Sequence, residues 1–240
     1  MPLRSRLDRW LYPSFGDRWD IVRFREEALK LIRPGMVVLD LGAGRGALTE
    51  LNFQGLGAEI WGADIDSVVE TNPNLDRAFV TSVNGLDGVP DHSVDLVLSC
   101  SVLEHVAEPE ALMKELKRVL KPGGVFFAKT PNKFHYMPLI ASLTPIWFHK
   151  LYNSWRGREE VDTFPTLYRI NSRAAVTRSS KQVGLQPERL WTVEGRPEYL
   201  RLTPPTYVAG YLYERTVNLL NLTDLKSVLF VLLRSPSSSV

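Results

Sequence analysis

The 240-residue sequence contains a single cysteine, Cys100, so no disulfide can form within the chain. Such sparing use of cysteine is typical of a reducing compartment. The chain also lacks the run of about 18 apolar residues that a membrane-spanning helix needs. No apolar stretch follows the basic residues of its first segment, as a signal peptide requires. We therefore expect a cytoplasmic protein with no transmembrane segment, which at most contacts the inner face of a membrane peripherally.

An excess of charge of one sign is missing as well. The sequence has 29 lysine and arginine residues against 27 aspartate and glutamate residues, a formal net charge of +2. It has no long run of basic residues, whereas nucleic-acid-binding surfaces usually cluster them. We therefore expect no nucleic-acid partner. Internal repeats are absent too, and a hydrophobic fraction of 44% fits one globular domain over residues 1–240.

Short apolar runs alternate with segments of helical periodicity along most of the chain. This alternation predicts an α/β fold, in which parallel strands are joined by right-handed crossovers and helices cover both faces of the sheet. Residues 134–170 are rich in aromatic residues and are interpreted as an insertion, or lid, over the edge of the sheet. Helices are predicted at 19–32, 109–120, 171–183 (capped by Asn171) and 206–220, and strands at 36–41, 58–63, 78–81, 94–99, 125–128, 189–193 and 227–233.

A glycine-rich segment, VVLDLGAGRGALT at Val37–Thr49, follows the first predicted strand. Gly42, Gly44 and Gly46 indicate a backbone with positive φ, or one that a ligand approaches closely. We expect this turn to lead into a helix whose free N–H groups favour electron-rich ligand atoms. A tight strand-to-helix connection without a ligand is the alternative interpretation.

Asp64 ends the next predicted strand, at about the place where a ribose-binding acid is expected in such folds. Its alternative role is a helix cap, which Asp66 or Ser67 would fill more naturally. The glycine pattern is G-x-G-x-G preceded by Asp40, whereas dinucleotide-binding folds prefer G-x-G-x-x-G. An acid beside the turn would repel a pyrophosphate but suits an amino group or a sulfonium. The pattern thus argues against a nicotinamide cofactor.

Four blocks of sequence carry a resemblance to a known family: VLDLGAGRG, GADID, PDHSVDLVLSCSVLEHV and ELKRVLKPGGVFFAKTPN. They resemble the methyltransferase-type-11 group of class I S-adenosylmethionine-dependent methyltransferases, close to the ubiquinone-biosynthesis O-methyltransferases. The resemblance covers residues 36–132. It implies a Rossmann-like seven-stranded sheet, mostly parallel with an antiparallel last strand, and S-adenosylmethionine as the cofactor, with S-adenosylhomocysteine as its product.

The resemblance also implies which residues hold the cofactor. Asp40 and the turn Gly42–Gly46 would hold its methionine part, Asp64 the ribose, and Ile65 would flank the adenine. Asn84 is the candidate for the adenine amine, although an ungapped alignment puts Val83 there. The full set of expected cofactor residues is Asp40, Gly42, Ala43, Gly44, Gly46, Asp64, Ile65, Asn84 and Ser99.

On the acceptor side, His105 is the candidate general base because the pKa of histidine lies near neutrality. Glu104 is expected beside the substrate, but both residues could instead cap and pack the following turn. Related quinone O-methyltransferases carry Glu-x-x-Glu-His here, and Ser101 replaces the first glutamate, so we expect no metal. Further candidate substrate contacts, each with an alternative role in packing, are His135, Tyr136, Tyr168 and Arg169.

The sequence therefore predicts an enzyme that methylates a small-molecule, glycan or lipid-like acceptor, with oxygen as the favoured acceptor atom. N- or C-methylation and the oligomeric state stay open. The alternative is a non-catalytic S-adenosylmethionine-binding subunit or regulatory protein, which would keep the glycine turn without turnover.

Overall fold

The computed structural model describes residues 3–16, 18–143 and 165–237. Its centre is one seven-stranded sheet with the strand order β3-β2-β1-β4-β5-β7-β6. The strands are β1 (Val37–Leu41), β2 (Glu59–Asp64), β3 (Arg77–Val80), β4 (Val94–Cys100), β5 (Leu120–Pro131), β6 (Gln186–Val193) and β7 (Val228–Arg234).

Strand directions in the sheet follow the expected pattern. The pairs that join β1 to β2, β1 to β4, β2 to β3 and β4 to β5 are all parallel. β7 is antiparallel to both of its neighbours, β5 and β6. The order reverses between β1 and β4, and open α/β sheets bind ligands beyond the carboxyl ends of their strands at such a reversal. The predicted Rossmann-like fold is confirmed.

Helices cover both faces of this sheet. They are α1 (Leu3–Leu11), α2 (Trp19–Leu29), α3 (Pro109–Val119), α4 (Tyr136–Leu143), α5 (Arg173–Gln182) and α6 (Pro204–Leu219). One apolar core includes Leu112 and Leu116 of α3 and Val176 of α5. A second core, on the opposite face, includes Phe24 and Ala28 of α2.

The predicted helix after the glycine turn is missing. In its place the chain forms a 3₁₀ helix of three residues, Thr49–Leu51. Gly55 and Gly57 both adopt positive φ shortly afterwards. The segment between Gly46 and Gly55 is too short for a stable α-helix, because nucleation is costly and few residues remain for propagation. The prediction that a helix dipole contributes to the site is therefore wrong.

The prediction that Asn171 caps a helix is also wrong, because Ser172 is the N-cap of α5 and accepts a hydrogen bond from the Ala175 amide. The Asn171 side chain instead donates to the Thr130 hydroxyl at 2.5 Å. Of the predicted insertion at 134–170, residues 144–164 lie outside the described residues, so its role as a lid stays a prediction. Within the described residues, no helix is long and apolar enough to cross a membrane.

Candidate active site

A cavity of about 270 Å³ lies at the carboxyl ends of β1 and β2. Six of the nine expected cofactor residues line it, namely Asp40, Gly42, Ala43, Gly44, Gly46 and Asp64. The cavity is close to the lower end of the range for small-molecule sites, about 300–1,000 Å³. Its other lining residues are Arg45, Ala47, Leu48, Leu51, Ile60, Asp66, Val68, Asn72, Asn74, Leu75 and Cys100.

The glycine turn requires glycine for two different reasons. Gly42, Gly44 and Gly46 have φ values of +82°, +49° and +73°, a region that L-residues with a Cβ rarely adopt. A Cβ on Gly46 would lie 2.2 Å from the Asn72 Oδ1, so a neighbouring side chain fills that space. A Cβ on Gly44 would meet nothing within 4 Å. Gly44 thus presents bare backbone to open space in the cavity.

Two asparagines hold this turn in place. The Asn72 side-chain amide donates to the carbonyl oxygens of Ala43 and Gly44 at 3.2 and 3.1 Å. The Asn74 amide donates to the Gly46 carbonyl at 3.2 Å. Sequence reasoning missed both residues, although the Asn-Pro-Asn triplet at 72–74 is a local signal for side-chain-to-backbone hydrogen bonds. The turn is therefore fixed by side chains rather than by a following helix.

Two carboxylates of the cavity have different environments. Asp64 Oδ2 accepts a hydrogen bond from the Gly44 amide at 2.9 Å, and its Oδ1 accepts one from the Asp66 amide at 3.0 Å. Asp40 is buried, and burial together with the charge of Asp64 raises its pKa to about 7. A cation next to Asp40 would reverse this shift, because an opposite charge favours the ionised form. Asp66 caps the next turn by accepting from the Val68 amide, as predicted.

Three expected cofactor residues do not line the cavity. Ile65 is 41% exposed on the surface beside it. Asn84 lies in the loop after β3, where its buried Oδ1 has no hydrogen-bond partner among the described residues. Ser99 is fully buried within β4, and its neighbour Cys100 lines the cavity instead. Burial raises the pKa of the Cys100 thiol to about 11, so the thiol stays protonated at neutral pH.

The two acceptor-side candidates on the loop after β4, Glu104 and His105, form contacts within the fold. Glu104 is buried and accepts a hydrogen bond from the Thr130 hydroxyl at 3.0 Å, and burial raises the pKa of its carboxyl group. Its carbonyl oxygen accepts from the amides of Leu167 and Tyr168. His105 Nδ1 lies 3.1 Å from the Pro165 carbonyl oxygen. Neither residue lines the cavity, so their role toward a substrate stays a prediction.

His135 lies in a buried pocket after β5. Its Nε2 is 3.6 Å from Glu194 Oε2, and its ring packs on those of Tyr136 and Tyr213. Burial lowers the pKa of His135 to about 3 and raises the pKa of Glu194 to about 7, so at neutral pH the imidazole is uncharged. These contacts link β5, β6 and α6. Both interpretations of His135 and Tyr136, substrate contact and anchoring of the insertion, stay predictions.

Tyr168 and Arg169 lie on the segment that returns to the sheet before α5. Tyr168 has a positive φ of +50°, and its pKa is raised by burial. The Arg169 guanidinium donates to the Ala107 carbonyl oxygen at 2.6 Å. Across the described ranges, no group of three or more histidine, cysteine or acidic residues could hold a metal ion.

Comparison with known proteins agrees with this geometry. Residues 39–128 match the family model described as a methyltransferase domain. The human mitochondrial ubiquinone biosynthesis O-methyltransferase is 30% identical over 162 residues, which cover 60% of this chain and 42% of the human protein. The ubiquinone biosynthesis O-methyltransferase of Xanthomonas campestris pv. campestris is 33% identical over 121 residues, 47% of this chain and 50% of that protein.

The chain thus spans about half the length of these curated relatives or less. A solved structure of a SAM-dependent methyltransferase from Aquifex aeolicus shares the fold, with a TM-score of 0.54 and 17% identity. The similarity covers 96% of this chain and 97% of that one. Residues 39–128 are therefore similar to a methyltransferase domain, and the chain shares the fold of that solved structure.

Proposed function

We propose that this protein transfers a methyl group from S-adenosylmethionine to an oxygen atom of a small organic acceptor. The observation that carries the proposal is the cavity at the carboxyl ends of β1 and β2. Its glycine turn leaves open space at Gly44, and the carboxyl groups of Asp40 and Asp64 line the same cavity. S-adenosylmethionine, when bound, supplies a methyl group whose bond to sulfur breaks, with the electron pair leaving on sulfur, as an acceptor lone pair bonds to the methyl carbon.

The residues of the cavity suit the parts of this cofactor. Asp40 would form an ion pair with the amino group of the cofactor. The attraction between a buried carboxylate and a cation is strongest when the cation is also removed from water. Asp64 keeps lone pairs free beyond the two backbone amides it accepts from, and these would receive the ribose hydroxyls. Asn84 Oδ1, which is buried without a partner among the described residues, would accept from the adenine amine.

The chemistry of transfer then depends mainly on alignment. The methyl donor is already activated, so orienting the acceptor can supply about 7–11 kcal/mol of the barrier. Oxygen is favoured as the acceptor atom because both curated relatives named above are O-methyltransferases. A small-molecule, glycan or lipid-like acceptor remains the proposal, with His105 as candidate base and Glu104, His135, Tyr136, Tyr168 and Arg169 as candidate contacts.

A lipid-like acceptor would require contact with a membrane surface, for a protein that we propose to be cytoplasmic. Exposed apolar residues of helix α6 support such a membrane contact in part. Val208, Leu212 and Leu219 of that helix are 45%, 58% and 85% exposed. Tyr207 and Val217 of the same helix are buried in the fold and cannot contribute to such a surface.

The test is a turnover assay with radiolabelled S-adenosylmethionine and a panel of phenols, hydroxy acids, sugars and isoprenoid quinols. We expect label in at least one hydroxyl-bearing acceptor, and a loss of transfer in Asp64→Ala. Asp95→Ala is a matched control, because Asp95 pairs with Lys121 at the opposite end of the sheet. Binding of S-adenosylhomocysteine without any transfer would instead favour the non-catalytic subunit.

A further inference from the structure

A second cavity, of about 640 Å³, lies between helix α5 and β6, the strand at the edge of the sheet. It shares no lining residue with the cavity beside the glycine turn. Its volume falls within the range of small-molecule sites, about 300–1,000 Å³. The transfer of a methyl group, as proposed above, does not use this second cavity.

The charged residues that line this cavity are mostly cationic. Arg173, Arg178 and Lys181 of α5 line it together with one acidic residue, Asp224. The three cations lie on the outward side of α5, whose opposite side is buried in the fold through residues such as Val176. A concave surface with an excess of one sign of charge concentrates ions of the opposite sign. The lining therefore favours an anionic ligand.

Within α5, no acidic residue offsets these cations. Its sequence, RAAVTRSSKQ, contains none, whereas Arg23 of α2 pairs with two glutamates of its own helix. Like charges three or four positions apart on a helix repel each other, and Arg178 and Lys181 have this spacing. Arg173 differs, because it forms an ion pair with Asp224 at 2.8 Å. An anion bound between Arg178 and Lys181 would offset the repulsion between them.

The same cavity has apolar lining residues. Phe134, which follows β5 and is 42% exposed, and Leu190 of β6 both line it. The Lys133 ammonium group lies 5.0 Å from the centre of the Phe134 ring and is a further cation beside the cavity. A ligand that fits this lining carries two negative charges on one group and an apolar or aromatic group next to it. A phosphate monoester has this combination, because a second pKa of about 6 leaves it nearly doubly ionised at neutral pH.

We infer that the cavity between α5 and β6 binds a phosphate monoester, with Arg178 and Lys181 holding the phosphate oxygens and Phe134 contacting the organic group. An arginine guanidinium can donate two parallel hydrogen bonds to a phosphate, and a lysine ammonium acts as a point charge. Arg173 adds positive potential but stays paired with Asp224. The inference goes beyond the proposed function and does not depend on it, because the two cavities share no lining residue.

The experiment is a calorimetric titration of the 240-residue chain with phenyl phosphate at neutral pH and low salt. Arg178→Gln and Lys181→Gln should each bind this probe about 10- to 100-fold more weakly, the value of one charge-assisted hydrogen bond. Lys114→Gln is the matched control and should bind as wild type does, because Lys114 is an exposed cation of α3 that does not line the cavity. Phe134→Ala should weaken binding of phenyl phosphate and leave binding of inorganic phosphate unchanged.

Vesicles that contain phosphatidic acid present the same phosphate monoester on a membrane and distinguish a lipid headgroup from a soluble ester. Release of the protein from such vesicles by phenyl phosphate would support the same cavity with a lipid headgroup as the source. Retention on the vesicles without any binding of phenyl phosphate would overturn the inference, and so would equal binding by wild type, Arg178→Gln and Lys181→Gln. Both variants should bind S-adenosylhomocysteine as wild type does, which shows that they are folded. Failure of the proposed function appears separately, as absent binding of S-adenosylhomocysteine by wild type.

Discussion

The substitution Asp40→Asn should stabilise the free protein at alkaline pH and yet weaken its binding of S-adenosylhomocysteine. Asp40 is buried, and its pKa rises from 3.8 to about 7 because of burial and the charge of Asp64. A carboxyl group with a raised pKa supports folding fully below about pH 4, and this support is lost as the pH rises through 7. A shift of about 3 pKa units corresponds to as much as about 4 kcal/mol.

Urea unfolding of wild type and Asp40→Asn at pH 5 and pH 8 measures this effect. The variant should be more stable than wild type by about 1–2 kcal/mol at pH 5, and this advantage should grow to about 4 kcal/mol at pH 8. Asp87→Asn is the control, because hydrogen bonds from Ser82 lower the pKa of this exposed carboxyl group, so its removal should act in the opposite direction. Calorimetry should show about 10- to 100-fold weaker S-adenosylhomocysteine binding, since one charged hydrogen bond is lost. A variant less stable than wild type at pH 8 would refute the reasoning about Asp40.

Three further predictions address the turn, the buried histidine and the N-terminal helix. Gly44→Ala should cost about 1 kcal/mol of stability because of the positive φ at this position. Calorimetry should nevertheless show that this variant no longer binds S-adenosylhomocysteine. Gly46→Ala should destabilise the protein more, because the added Cβ would collide with Asn72. Because burial lowers the pKa of His135 to about 3, stability should fall by about 1.4 kcal/mol per pH unit below pH 6. His135→Asn should lose that acid slope in urea unfolding, and an unchanged slope would show that another group causes it. Asp8→Ala should cost about 3 kcal/mol, because Asp8 accepts one hydrogen bond from the buried Arg201 and another from the Tyr207 hydroxyl. The exposed pair of Asp91 and Arg118 should contribute less than about 1 kcal/mol; equal losses in thermal unfolding would contradict this.

The sheet could be predicted because its strands are short runs of β-branched and apolar residues with turns between them. Val94–Cys100 is such a run and forms the central strand β4. A continuous apolar run of this kind predicts a strand that is buried on both faces of the sheet. The glycine turn and Asp64 could be located for a similar reason. Glycines mark positions where the backbone has a positive φ, and an acidic residue after an apolar run marks the end of a strand.

What the sequence could not predict depends on contacts between distant residues. Asp20 and Lys129 are 109 positions apart, and no local pattern indicates that these two side chains meet. The same holds for His135 and Glu194, which follow β5 and β6, two strands separated in the sheet by β7. The prediction of a helix after Gly46 is wrong because Gly55 and Gly57 interrupt the segment. Both glycines are visible in the sequence, but a prediction from the glycine motif alone does not include them.

The central claim, that the cavity beside Gly44 binds the S-adenosyl group, is tested most directly by calorimetric titration with S-adenosylhomocysteine. NADH serves as the control ligand and Asp64→Ala as the variant. We predict micromolar or tighter binding of S-adenosylhomocysteine, no binding of NADH, and a large loss of affinity in the variant. Binding of NADH in place of S-adenosylhomocysteine, or undiminished affinity in Asp64→Ala, would contradict the account.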